Sequence, residues 1–166
     1  EGHVVNTSSG NGGIAPLAGT PIYAATKSAV TVISECLYAQ LAAASARVKV
    51  SVLYPGPNWM RTGIFASERN RPAELAQARP SAAPRPTFEA LREQMRAAGI
   101  PFEETPLEVV AEGVVAAIRG ERFWILPASG RTDAAIRARA ESMLARSEPE
   151  YMLDKRPPAA GGLARE

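Results

Sequence analysis

Tyr23 and Lys27 are the residues whose types and spacing could most directly do chemistry, because they lie four positions apart. Side chains at positions i and i+4 of a helix share one face, so a phenol and an ammonium would meet there. A phenol with an ordinary pKa near ~10 is a poor acid and base at neutral pH. One cation at ~4 Å in an effective dielectric of ~20 favours a phenolate by about 4 kcal/mol, or ~3 pKa units. The pair therefore predicts acid–base chemistry by Tyr23, with Lys27 as the activating cation.

The same spacing occurs a second time, at Tyr151 and Lys155. That copy lies beside Pro157 and Pro158 and follows no strand, so we interpret it as part of a solvated tail. The first pair, in contrast, follows a β-branched run and a loop rich in serine and glycine. This context favours the first pair as the functional one.

Three runs of strand-forming residues position this pair. Each run has the length and composition of a strand, and the runs are His3–Thr7, Val48–Tyr54 and 123–126. We interpret the first as buried. Residues 21–44 lie between the first two runs and have apolar residues at helical spacing, namely Val30, Ile33, Leu37 and Leu41. A strand–helix–strand order indicates a parallel crossover. The sequence therefore predicts an α/β fold of about three parallel strands with flanking helices.

A long segment, residues 58–104, follows the second strand. It is rich in proline and arginine and contains a predicted helix over residues 88–98. Insertions of this length are often functional, so we interpret it as a substrate-loop insertion within one domain of residues 1–155. Residues 156–166 are predicted to form a disordered tail.

Two further helices follow the insertion. Thr105 as N-cap, Pro106 at the first helical position and Glu108 form a capping box, which predicts a helix from there to about Arg119. Another helix, with mixed charge, is predicted after Gly130. These helices complete the predicted α/β pattern.

Three motifs, in this order along the chain, resemble those of the short-chain dehydrogenase/reductase family. Residues 6–10 (Asn-Thr-Ser-Ser-Gly) resemble its strand-end motif, which carries a catalytic serine. Residues 23–27 resemble its tyrosine–lysine motif, and Pro55-Gly56 resembles the turn after its next strand. The family's serine usually lies about thirteen residues before the tyrosine. Ser9 lies fourteen residues before Tyr23 and is therefore preferred to Ser8.

This resemblance implies a fold and an activity. The fold would be a Rossmann-like doubly wound parallel sheet, of which the chain holds the carboxy-terminal portion. The activity would be hydride transfer between NAD or NADP and a small-molecule alcohol or carbonyl substrate. Catalytic roles fall on Ser9, which would bond the substrate oxygen, and on Tyr23 and Lys27, which would also contact the cofactor. Further cofactor contacts are implied for Pro55, Gly56 and Thr62.

Family resemblance also bears on the extent and assembly of the protein. The chain begins with Glu1 rather than Met and enters a strand at once, so we expect an amino-terminal segment with the phosphate-binding glycines to precede it. Residues 1–166 alone are therefore expected to be inactive, and the longer protein to be a homodimer or homotetramer. The alternative is a non-catalytic Rossmann-like binding or regulatory protein that retains these motifs.

Two other motifs near Ser9 would indicate different chemistry, and we reject both. Residues 10–15 fit a loose G-x-G-x-x-G/A dinucleotide fingerprint, but Pro16 and Pro21 prevent the helix that must begin there. We expect these glycines to shape a loop over the substrate instead. A serine hydrolase of the G-x-S-x-G type needs a downstream histidine, and the only histidine, His3, precedes both serines.

The substrate itself is indicated only by four apolar residues after the Pro-Gly turn. They either line a pocket for an apolar substrate or form local core, and they are Trp59, Met60, Ile64 and Phe65.

Composition excludes several other functional classes. A formal net charge of +2 is too balanced for a nucleic-acid-binding surface, and no apolar run reaches the ~18 residues that span a membrane. Cys36 is the single cysteine, which excludes an internal disulfide and a multi-cysteine metal site. We expect it to be buried or packed against another subunit. The sequence therefore predicts no metal, nucleic-acid or membrane partner, and a cytoplasmic location.

Overall fold

The computed structural model describes residues 1–75 and 87–153. The chain divides into two compact units. The first contains Glu1–Pro57 and the chain from Ala117 onward, and the second contains Asn58–Ala116. The second unit thus extends beyond the predicted insertion, residues 58–104. The predicted tail, residues 156–166, lies outside the described residues.

A three-stranded parallel sheet forms the centre of the first unit. Its strands are β1 (Gly2–Thr7), β2 (Val48–Leu53) and β3 (Trp124–Ile125), in the order β1-β2-β3. Gly2 pairs with Val48 and Thr7 with Leu53 along β1 and β2. The predicted parallel α/β fold is confirmed. The third strand is shorter than its predicted range, because only two of its residues pair with β2.

Strand β1 is an edge of this sheet and is less buried than predicted. Its Val4 side chain is 38% exposed, whereas Val50 and Val52 in the central strand β2 are buried. Among the described residues β1 pairs only with β2, and this position explains the difference. The prediction of a buried first strand was therefore wrong for this chain.

Helix α1 (Pro21–Ala43) carries the tyrosine–lysine pair, and its bounds agree with the prediction. Pro21 suits the first turn, where its missing N–H costs no hydrogen bond. The buried face differs from the apolar pattern, since its buried residues are Ala24, Thr31 and Ser34 while Ile33 is 61% exposed. Thr31 and Ser34 can face the strands because their hydroxyls find hydrogen-bond partners there.

Three further helices occupy the described residues, α2 (Phe88–Ala97), α3 (Leu107–Arg119) and α4 (Gly130–Ala145). Short 3-10 turns cover Gly63–Asn70, Ala73–Leu75 and Glu150–Met152. Helix α3 begins at Leu107, one residue after the predicted first helical position, Pro106. The Pro106 carbonyl accepts the first helical hydrogen bond, from the Val110 amide. The Thr105 amide instead donates to the Trp59 carbonyl, at 2.9 Å.

Neither a membrane-spanning helix nor a cluster of metal ligands occurs in the described ranges 1–75 and 87–153. No helix there is long and apolar enough to cross a bilayer. No group of three or more histidine, cysteine, aspartate or glutamate side chains there could hold a metal ion.

Candidate active site

The ends of β1 and β2 bring two of the sequence motifs to one edge of the sheet. Ser8 and Ser9 follow β1, and Pro55-Gly56 follows β2. The Ser8 amide donates to the Leu53 carbonyl, at 2.8 Å, which extends the pairing of the two strands. Gly56 has a φ of 124°, a conformation that favours glycine. Carboxyl ends of parallel strands are the usual ligand-binding edge of such sheets.

Tyr23 and Lys27 lie in the first two turns of α1. The Lys27 ammonium nitrogen is 5.8 Å from the centre of the Tyr23 ring, and the Tyr23 side chain is 43% exposed. The same ammonium donates to the Thr7 carbonyl at the end of β1, at 3.0 Å. An ammonium has three N–H donors, so this bond leaves donors that can reach a ligand. The lysine is therefore held between the tyrosine and the strand end.

The two neighbouring serines have different environments. Ser8 is 2% exposed, and its hydroxyl donates to the Lys27 carbonyl at 2.8 Å. Ser9 is half-buried, and its hydroxyl oxygen accepts from the Asn11 amide at 3.2 Å. The Ser9 hydroxyl proton is not used by that bond. Of the two, Ser9 is thus the serine that can donate to a substrate oxygen.

The glycines after Ser9 pack against α1. Residues 10–14 form a single π-type turn with non-helical backbone angles at Asn11 and Gly12, and no α-helix begins before Pro21. Gly12 has a φ of 101°, and the Ser28 hydroxyl donates to its carbonyl at 2.6 Å. The helix that a dinucleotide fingerprint requires does not begin at these glycines, as predicted. A side chain on Gly12 or Gly13 would overlap neighbouring atoms of the first unit, so both positions require glycine. The sequence did not indicate this packing role.

A buried group of hydroxyls beside Lys27 was missed by the sequence reasoning. Thr31 bonds both Ser8 and the Tyr54 hydroxyl, each at 2.9 Å. Burial raises the pKa of Tyr54, and its hydrogen bond to Thr31 acts in the opposite direction. Available sequence signals were the position of Thr31 four residues after Lys27 and that of Tyr54 directly before the Pro-Gly turn.

The only histidine bonds a serine that the sequence did not single out. His3 Nε2 lies 2.6 Å from the Ser51 hydroxyl oxygen, and Ser51 donates to the Arg122 carbonyl at 2.6 Å. Ser51 is fully buried, and its proton is already used. This pair therefore lacks the accessible nucleophile of a serine hydrolase. Cys36 is exposed in the chain, which excludes burial within the subunit and leaves packing against another subunit as the remaining prediction.

The second unit contains Thr62 and the four apolar residues after the Pro-Gly turn. The Thr62 hydroxyl accepts from the Ile64 amide at 3.4 Å. Trp59 and Phe65 belong to an aromatic cluster with Phe88 and Phe102, with neighbouring ring centres 5.4 to 5.8 Å apart. For Phe65 this packing favours the local-core alternative, whereas Trp59 is 39% and Ile64 61% exposed.

Comparison with known proteins agrees with the motifs and the fold. A family model described as short chain dehydrogenase matches residues 1–72. The chain also resembles the crystal structure of a short chain dehydrogenase/reductase from Burkholderia phymatum in complex with NAD, with a TM-score of 0.67 and 33% sequence identity. The match covers 89% of this chain and 50% of that protein, so the chain spans about half of its length. No curated protein matches significantly. We conclude that residues 1–72 match the short-chain dehydrogenase/reductase family and that the chain has the fold of part of a Rossmann-like domain of that family.

Proposed function

We propose that the protein is an NAD- or NADP-dependent oxidoreductase that acts on a small-molecule alcohol or carbonyl substrate. The observation that carries this proposal is the Lys27 ammonium, which lies 5.8 Å from the centre of the Tyr23 ring in a segment that matches the family. A phenol and an ammonium that lie side by side can both contact one ligand, which allows the phenol to exchange a proton with a substrate hydroxyl.

Three side chains would share the work of the reaction. In the oxidation direction Tyr23, as phenolate, would take the proton from the substrate hydroxyl. The substrate carbon that bears this hydroxyl would lose a hydride to the cofactor. Ser9 would donate a hydrogen bond to the same substrate oxygen and fix its position. Lys27 would stabilise the phenolate through its positive charge. The partial exposure of Tyr23 and Ser9 supports these roles, because a substrate must reach both.

A nicotinamide cofactor, when bound, would accept or supply the hydride. The residues at the carboxyl edge of the sheet fit such a group, because Lys27 has ammonium donors beyond the bond to Thr7. We assign its remaining contacts to Tyr23, to the Pro55-Gly56 turn and, in the second unit, to Thr62. The Burkholderia phymatum relative was solved with NAD, which supports a nicotinamide dinucleotide in general. The choice between NAD and NADP stays open in this proposal.

We further propose a homodimer or homotetramer in the cytoplasm, with no nucleic-acid, membrane or metal partner. Exposed apolar side chains on α1 support a subunit contact, since Ile22 is 79% and Ile33 61% exposed. The exposed Cys36 on the same helix would then pack against the other subunit.

The experiment measures turnover by the full protein, with NAD(H) and NADP(H) and a panel of alcohols and carbonyl compounds. Tyr23→Phe keeps the ring and removes the proton-exchanging hydroxyl, so turnover is expected to fall at least ~100-fold. Tyr151→Phe, which changes the tyrosine of the second Tyr-x-x-x-Lys copy, is the matched control and should leave turnover unchanged. Retention of most of the turnover by Tyr23→Phe would refute the role of Tyr23 and favour the non-catalytic alternative.

A further inference from the structure

A chain of three hydroxyl groups lies directly behind the proposed active site. Tyr54 bonds Thr31 at 2.9 Å, Thr31 bonds Ser8 at 2.9 Å, and Ser8 bonds the Lys27 carbonyl at 2.8 Å. The three side chains are buried, with exposed fractions of 3%, 8% and 2%. They join the ends of β1 and β2 to the second turn of α1.

The direction of these bonds follows from the number of protons. Ser8 has one hydroxyl proton, and the Lys27 carbonyl takes it because a carbonyl can only accept. Thr31 can direct its proton to Ser8, at 2.9 Å, or to the same Lys27 carbonyl, at 3.3 Å, and in both cases it accepts from Tyr54. Tyr54 is thus the terminal donor of the hydroxyl chain, and burial raises the pKa of its phenol. Each short contact is satisfied in this order, and no proton is left without an acceptor.

The chain of hydroxyl groups ends at Lys27, and this residue is held at two points. Its carbonyl accepts from Ser8, and its ammonium donates to the carbonyl of the adjacent residue, Thr7. The end of β1 therefore fixes both the backbone and the charged end of this lysine. Thr31 contacts both the Ser8 hydroxyl and the Lys27 carbonyl, and Tyr54 bonds Thr31.

The close packing of Gly13 shows that this arrangement leaves little freedom. A Cβ on Gly13 would lie 2.6 Å from the Ser8 hydroxyl oxygen and 2.6 Å from a Tyr54 ring carbon. The same Cβ would lie 2.9 Å from the Thr31 hydroxyl oxygen. Backbone therefore covers the hydroxyl chain, which favours one arrangement of its members.

We propose that Thr31 and Tyr54 are positioning residues that act through Ser8 and the Lys27 carbonyl to hold Lys27 beside Tyr23. This role rests on the proposed function, because it concerns the cation that activates Tyr23 and contacts the cofactor. Small displacements of reacting groups reduce rates strongly, so loss of the hydroxyl chain should slow the reaction even in a folded protein.

The test compares steady-state kinetics of Thr31 variants in the full protein, with concentrations corrected for the folded fraction. Thr31→Val keeps the shape and removes the hydroxyl, and we expect kcat to fall about tenfold and the cofactor KM to rise severalfold. Thr31→Ser restores a hydroxyl and should keep both constants within about twofold of the original. Tyr54→Phe removes only the terminal donor, and a smaller change in the same direction is expected. This milder variant keeps the test decisive if Thr31→Val does not fold.

Two controls separate positioning from stability. Ser34→Ala removes another buried hydroxyl of α1, which bonds Asn6 but no member of the chain, so stability should fall with kcat and KM unchanged. Tyr38→Phe removes the hydroxyl of an exposed tyrosine on the same helix and should be silent.

Unchanged constants per folded molecule in Thr31→Val and Tyr54→Phe would overturn the positioning role. If Tyr23→Phe still abolishes turnover in that case, the proposed function stands and only this inference fails. A Tyr23→Phe variant that retains turnover refutes the proposed function itself.

Discussion

Gly12→Ala tests whether the loop that carries Ser9 is fixed by its contact with α1. Gly12 has a φ of 101°, where a residue with a Cβ is strained by about 1–2 kcal/mol. The added Cβ would overlap the Ala24 carbonyl oxygen and lie 2.7 Å from the Ala24 Cα. Relief of that overlap by backbone movement costs ~1–3 kcal/mol, and loss of the bond from Ser28 costs ~1 kcal/mol. We therefore expect the free energy of unfolding to fall by roughly 3–6 kcal/mol.

Chemical denaturation followed by circular dichroism measures this change in the full protein. Gly10→Ala is the matched control, because its Cβ would meet no atom within 4 Å and its φ is not positive. That control should stay within about 0.5 kcal/mol of the original. If Gly12→Ala also stays within that range, the loop is not held by its contact with Ala24, and the reasoning is refuted.

The other predictions concern the proposed catalytic residues and one exposed helix position. Ser9→Ala should lower turnover ~100-fold and Ser8→Ala only about tenfold, as expected for loss of the hydroxyl chain, in the same kinetic assay; the reverse order would exchange their roles. Lys27→Met keeps the aliphatic stem and removes the charge, so calorimetric titration should show weaker cofactor binding while the rate profile moves to higher pH. An unchanged pH profile would reduce Lys27 to a cofactor contact. Gly113 lies inside α3 with open space around it, so Gly113→Ala should stabilise the protein by about 0.5–1 kcal/mol in denaturation experiments.

Local patterns in the sequence were sufficient to predict the elements of the fold and their order. The bounds of α1 and α2 agree with the predicted helices to within one residue at each end. Such agreement is expected where helical spacing continues without internal glycine or proline, because backbone preference and side-chain pattern then favour the same structure. The spacing of Tyr23 and Lys27 likewise predicted their proximity, since it is a property of the helix itself.

The tertiary structure decided which polar side chains meet, because their partners lie far apart along the chain. Thr31 and Tyr54 are 23 residues apart, and His3 and Ser51 are 48 apart. No local spacing relates such residues; the packing of α1 against β1 and β2 brings them together. The same packing buried Thr31 and Ser34 and left Ile33 exposed, because bonded hydroxyls can be buried at little cost.

The choice between the two serines shows the division most clearly. Their sequence neighbours are almost the same, and spacing from Tyr23 gave only a preference for Ser9. Adjacent residues at a strand end point in opposite directions, so one serine faces α1 and the other does not. The sequence alone determined that a serine lies at the end of β1 before the tyrosine helix. Only the folded chain determined that the Ser8 hydroxyl donates to the Lys27 carbonyl, because that hydrogen bond exists only after β1 and α1 have packed together.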